Sequence, residues 1–161
     1  MFRTLTLADA LNVCEAMRDS DWQCVKAICG DLSAEDFAVN RWQTEGPAWT
    51  FLQDDDPTAI GGLSFSTSWS AVFWMVAKPS ITRHSWRKLL RHARTVLANV
   101  CHCDHPHYRH RVEVHTLASW PQADAFAARL GLQLEGRRYA VGSGGEDVNV
   151  WVRIGAPKGK T

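Results

Sequence analysis

Residues 111–153 constrain the fold more than any other stretch of the chain. Arg111-Val-Glu-Val-His115 alternates polar and apolar side chains, as a strand with one buried face does. From Trp120 to Leu132 the pattern changes to that of an amphipathic helix. Pro121 suits the first turn, where a missing N–H costs nothing, and Gly131 suits the end, where the chain takes a left-handed conformation. Two more strand patterns, Gln133 to Val141 and Val148 to Arg153, flank Gly142-Ser-Gly-Gly145, a hairpin signal.

The upstream residues extend this pattern. Phe2 to Thr6 alternates as a first strand, and Leu7 to Met17 sets Leu7, Leu11 and Cys14 on one helical face. Asp19 or Ser20 can cap a second helix to about Cys29, with Trp22, Val25 and Ile28 three apart. Ser33-Ala-Glu-Asp36 reads as a capping box with Asp in place of Glu, opening a short helix to about Trp42 that Gly46-Pro47 stops. Ala48 to Gln53, Ala59 to Phe65 and Ala71 to Val76 form an antiparallel meander, with an acidic turn at Asp54 to Pro57. Ser80 or Thr82 can cap a long helix from about Arg83 to Val100, whose apolar stripe runs through Trp86, Leu89, Ala93 and Leu97. The order β, two or three α, βββ, α, β, α, ββ predicts an α/β (α+β) fold. Its central sheet is mixed, mostly antiparallel, of six to seven strands, with helices on both faces.

At 161 residues one domain is expected, over 1–154, with a loose polar tail over 155–161. Eighteen basic and 17 acidic residues leave a net charge of +1, so the whole-protein field favours neither nucleic acid nor membrane. Residues 1–18 lack the basic–apolar–small pattern of a signal peptide, and five cysteines make an odd set. Both point to the cytosol and reduced thiols. Eight tryptophans give weight to partner binding, with Trp69 and Trp120, at element ends, as the partner-facing candidates.

The closing pattern, with Phe126-Ala-Ala-Arg-Leu-Gly131-Leu at its centre, resembles the second half of the GCN5-related N-acetyltransferase (GNAT) fold, and the element order matches along nearly the whole chain. The resemblance implies acetyl-CoA as cofactor, held where the fourth and fifth strands part. Its pyrophosphate would lie on a glycine-containing loop at the start of the next helix, where backbone N–H groups converge. Here that segment is Ala77-Lys-Pro-Ser-Ile-Thr-Arg-His-Ser-Trp86, and no glycine occurs between Gly62 and Gly131. Lys78, Thr82, Arg83 and Ser85 are the substitutes, with Met75 and Val76 contributing from the strand. The same basic residues also fit a solvated helix face. Where the family carries a tyrosine acid this chain has Ala127.

For a general base the strand offers Glu113 and His115, which share a face, and Ser119 follows. A purely structural reading pairs Glu113 with Arg111 or Arg138 instead. Cys101-His-Cys-Asp-His-Pro-His-Tyr-Arg-His110 contains zinc-type ligands without the separated pairs of a formed site, so it reads as a polar connection and no metal is expected.

Four short segments resemble in finer detail the GNAT-like proteins of tailed bacteriophages, including internal virion proteins of short-tailed phages. They are Met17-Arg18 with Asp21, Ala59 to Leu63, Val72 to Val76, and Gly144 to Asp147. That resemblance implies a host-cytoplasmic or virion-packaged protein whose partners are other virion proteins. Two functions stay open: a GNAT-fold virion component with a degenerate cofactor loop, and an active acetyltransferase acting on an amine.

Overall fold

The computed structural model describes residues 1–156; residues 157–161 of the expected tail lie outside the described residues. The elements are β1 (Phe2–Thr4), α1 (Leu7–Glu15), α2 (Asp19–Cys29), α3 (Ala34–Gln43), β2 (Ala48–Gln53), β3 (Asp56–Phe65), β4 (Ser70–Ala77), α4 (Arg83–Val100), β5 (Arg111–Leu117), α5 (Pro121–Arg129), β6 (Gln133–Arg138) and β7 (Val148–Ile154). They build one seven-stranded sheet in the order β1-β2-β3-β4-β5-β7-β6. Only β4 and β5 run parallel; every other neighbouring pair is antiparallel.

Local chemistry starts most helices. Thr82 caps α4 by accepting the Ser85 N–H at 3.2 Å, and Ser33 and Asp36 close the expected capping box at 3.0 and 3.4 Å. The longer second distance reflects the shorter reach of Asp. On α1 the buried face is Ala10, Val13 and Cys14, while Leu7 and Leu11 are only half-buried. Buried Asp9 sets that rotation, because it takes hydrogen bonds from Arg3 at 2.6 Å and Thr50 at 2.8 Å and so ties the helix to β1 and β2.

Two apolar layers sandwich the sheet. Val13, Val25, Phe37 and Ala38 of α1–α3 pack on Ile60 and Val76, while Ala93 and Leu97 of α4 and Ala127 of α5 pack on Phe73, Val112 and Val114. Fully burying one such Leu, Val or Phe contributes about 1.5–3 kcal/mol, so both layers are required for stability. Trp69, at an element end as expected, is 55% exposed, and Trp42 on α3 is 46% exposed.

The sheet parts in its middle. β4 and β5 pair only from Ser70↔Arg111 to Val72↔Glu113. Beyond that, β4 stays with β3 to Ala77↔Ala59, and β5 stays with β7 to Leu117↔Val148. At the far end of β4 the first turn of α2 takes the place of β5. The Ala77 N–H donates to the Asp21 carboxylate at 3.1 Å, and the Ala77 carbonyl accepts the Arg18 N–H at 3.0 Å. This explains why α2 starts on Arg18, with no side-chain cap, rather than on the Asp19 or Ser20 expected from sequence.

The last hairpin is shorter than its pattern. β6 ends at Arg138, and the connection over 139–147 is held by Glu146 and Asp147, which accept the N–H groups of Gly144 and Ala140 at 2.8 and 2.9 Å. After β7, the Gly155 N–H donates to His110 at 2.8 Å and the Tyr108 hydroxyl donates to the Ala156 carbonyl.

Candidate active site

The parting of β4 and β5 opens a cleft of about 790 Å³. Its walls come from α2, the free half of β4, the first turns of α4, the end of β5, and α5. Strand alternation decides which backbone groups face it. The Lys78 N–H bonds to Thr58 of β3 at 2.8 Å, so Val76 and Trp74 also turn their N–H groups to β3; Phe73 turns its N–H to Glu113 at the last β4–β5 rung, and Met75 turns its own into the cleft. Of the two expected strand positions, Met75 therefore presents its amide to the opening and Val76 does not. An unpaired strand edge is a row of donors and acceptors ready for an extended ligand.

Glu113 and His115 are brought together on the same face of β5. His115 Nε2 lies 2.8 Å from Glu113 Oε2, and Arg111 Nε donates to Glu113 Oε1 at 2.7 Å. Arg111 in turn grips Glu135 of β6 at 2.9 and 2.5 Å. Burial works to raise the Glu113 carboxyl, but its bonds to His115 and Arg111 outweigh it and hold the group below the usual carboxylate range. Glu113 is thus a fixed anion and a poor proton acceptor. His115 is the group that lines the cleft. In the tautomer that donates Nε2–H to the Glu113 carboxylate, the Nδ1 atom carries the lone pair. The expected pairing of Glu113 with Arg111 is present, and His115 joins it on the cleft side.

Above the cleft, Arg18 lies over two indoles, its guanidinium carbon 4.8 Å from the Trp86 ring centre and 5.8 Å from that of Trp120. Asp21 holds it through paired hydrogen bonds of 2.8 and 2.9 Å. Trp86 meets Phe126 of α5 edge to face at 5.4 Å, closing the gap between α4 and α5. Asp21 is the single carboxylate among the lining residues, against five arginines. The Cys24 thiol also faces the cleft, but burial pushes it up to about 11, so it stays neutral and is no nucleophile.

The start of α4 is occupied from within the chain. The Gln53 carboxamide oxygen accepts the Thr82 N–H at 3.0 Å and the Ser85 hydroxyl at 2.7 Å, and its nitrogen donates to the Ser80 carbonyl at 3.3 Å. Lys78 is engaged by Asp56 at 3.1 and 3.2 Å. Of the four residues expected to take the pyrophosphate, Arg83 alone lines the cleft with no hydrogen-bond or ion-pair partner among the described residues. Ser119 is exposed on the turn before α5, and Trp120 is half-buried in the cleft wall rather than on an open face. Ala127 has no exposed surface and belongs to the α4–α5 core, so a hydroxyl acid has no place there.

Sequence reasoning missed Gln53 altogether, and it valued Arg18 and Asp21 only as marks of resemblance. A residue 29 positions from the helix it caps leaves no local signal. In the Cys/His connection, His102, Cys103 and Asp104 bring ligand atoms within 4.8 Å of one another, but all three are consecutive and exposed.

A sheet of this order, parted between its two parallel strands, with three helices on one face and two on the other, is the fold of the GCN5-related N-acetyltransferases. Solved members of that class superpose along the full chain. The ribosomal-protein-S18-alanine N-acetyltransferase of Escherichia coli matches with a TM-score of 0.70 at 18% identity, over 100% of this chain and 97% of that one. A GNAT-family acetyltransferase of Bacillus anthracis gives 0.69 at 14%, covering 95% and 93%. An acetyltransferase of Salmonella typhimurium, solved with acetyl-CoA, gives 0.65 at 12%, covering 99% and 98%. No family model and no curated protein matches the sequence.

Proposed function

We propose that this chain is an acyl-CoA-dependent N-acyltransferase in which His115, oriented by Glu113, is the general base. The observation that carries the reading is the 2.8 Å Glu113–His115 pair opening on the cleft where β4 and β5 part. The N–H of Met75, beyond the last β4–β5 rung, supplies a donor for an extended thioester arm or its carbonyl. His115 takes the proton of the incoming amine as its nitrogen forms the new C–N bond. The C–S bond breaks with its electron pair on sulfur, and the proton held by His115 is available to the departing thiolate. The five cleft arginines suit an anionic donor.

Titration calorimetry with acetyl-CoA tests this directly. Micromolar binding, with coenzyme release in the presence of an amine pool and its loss in H115Q, is the expected outcome. No heat at millimolar acetyl-CoA would sink the reading.

A second reading has its own support. Gln53 takes the Thr82 N–H and the Ser85 hydroxyl at the helix end where a pyrophosphate would sit, and Ala127 stands buried where a tyrosine acid is expected. Both fit a GNAT-fold protein that has left catalysis and serves in a phage particle, in line with the sequence resemblance of Met17-Arg18 and Gly144 to Asp147. In that reading the protein sits in the host cytoplasm or the virion and meets other virion proteins through a surface that includes exposed Trp69. Co-purification with assembled particles, together with absence of acetyl-CoA binding, would favour it.

A further inference from the structure

A second cavity, of about 520 Å³, runs along the outer flank of α4. Arg87, Arg91 and Arg94 line it from the helix, Arg153 closes it from β7, and no carboxylate is among its lining residues. Arg87, Arg91 and Arg94 make no side-chain hydrogen bond, ion pair or ring contact among the described residues. Like charges three and four positions apart on one helix repel, and among the described residues no carboxylate pairs with them. This concentration of free guanidinium stands out in a protein whose net charge is only +1.

The groove is not separate from the cleft. Arg87 and Leu90 line both cavities, so a single ligand can pass from one to the other. Successive arginines from Arg87 to Arg94 span about 10 Å along the helix axis, a spacing that suits several phosphate groups on one carrier rather than one small ion. Guanidinium presents paired N–H donors to phosphate oxygens and a flat face to a purine. At the start of the helix Gln53 takes the Thr82 N–H and the Ser85 hydroxyl, two of the donors expected to meet phosphate there.

We propose that the arginine groove is the phosphate site of this protein: it takes the phosphates of a phosphorylated nucleotide carrier, along the flank of α4 instead of at its N-terminus. The inference rests on the acyl-transfer reading for the identity of that carrier. It assigns Arg91 and Arg94 a binding role although neither lies in the β4–β5 cleft.

The test is calorimetry on the full chain with coenzyme A, 3′,5′-ADP and pantetheine, comparing the unaltered protein with Arg91→Gln/Arg94→Gln. Both positions are exposed and glutamine is a good helix former, so the helix is retained, which circular dichroism checks. Lys88→Gln removes a charge from the same helix outside both cavities. The double variant is expected to bind coenzyme A and 3′,5′-ADP at least about tenfold more weakly, with pantetheine unchanged and Lys88→Gln like the unaltered protein. Coenzyme A affinity within twofold in the double variant overturns the proposal and leaves acyl transfer standing. Arginine-dependent binding of 3′,5′-ADP by a chain that transfers no acetyl group overturns the acyl-transfer reading alone. Failure of the unaltered protein to bind either nucleotide overturns both.

Discussion

In the proposed chemistry His115 accepts a proton at Nδ1 while Glu113 holds Nε2, so the two residues have separable effects. H115Q is expected to lower kcat/KM by about 10²–10⁴-fold, the usual worth of a positioned general base, with acetyl-CoA binding unchanged. E113Q keeps the shape but loses the charge, and a smaller loss is expected. Rates within a few-fold of the unaltered protein in H115Q would remove the histidine from the chemistry. Glu113 also carries a pH dependence. Its folded-state carboxyl is held below the ordinary value of about 4.3, so its stabilising bonds are fully present above that pH and are lost as pH falls through the lowered value. Denaturant unfolding of E113Q and the unaltered chain should therefore differ at neutral pH and converge in acid; an undiminished difference at about pH 2 would contradict this. The pair was legible in sequence because residues two apart on a strand share a face. Which of the two faces the cleft was not, since that turned on how the strands part around them.

At the scale of elements, α4 shows where local rules hold and where they stop. Thr82 was readable as its cap, because capping spans three residues. Gln53 was not, because it arrives from the end of β2. Thr82→Ala is expected to cost about 1 kcal/mol, and Gln53→Ala a similar amount or more, as three hydrogen bonds go with it. Urea titrations give both values, and hydrogen exchange at the Thr82 amide should speed up in the Gln53 variant alone. Protection unchanged at that amide would show that Gln53 is not its partner. The same division explains α2 and β6. The start of α2 is set by bonds to Ala77, 56 residues from Asp21. β6 ends early because Tyr139 and Val141 turn away into a loop that Glu146 and Asp147 organise, although their residue types continue the strand pattern.

At the scale of the molecule, both apolar layers share the strands between them, so neither face has a core that can persist without the sheet. Unfolding is expected as one transition, with tryptophan fluorescence and far-ultraviolet circular dichroism coinciding; two separated midpoints would show that the α1–α3 face opens on its own. The amino-acid order alone determined the succession of elements, the inward faces of the strands, two of the helix caps and the class of sheet. Each of these follows from periodicity or from contacts a few residues long. Only the tertiary structure decided where β5 leaves β4, that Gln53 binds the start of α4, and that Arg87, Arg91 and Arg94 stand without a side-chain partner among the described residues. Those features join segments that meet only once the sheet is assembled. Hydrogen bonding and charge compensation between them depend on distances in space, which local sequence patterns do not encode.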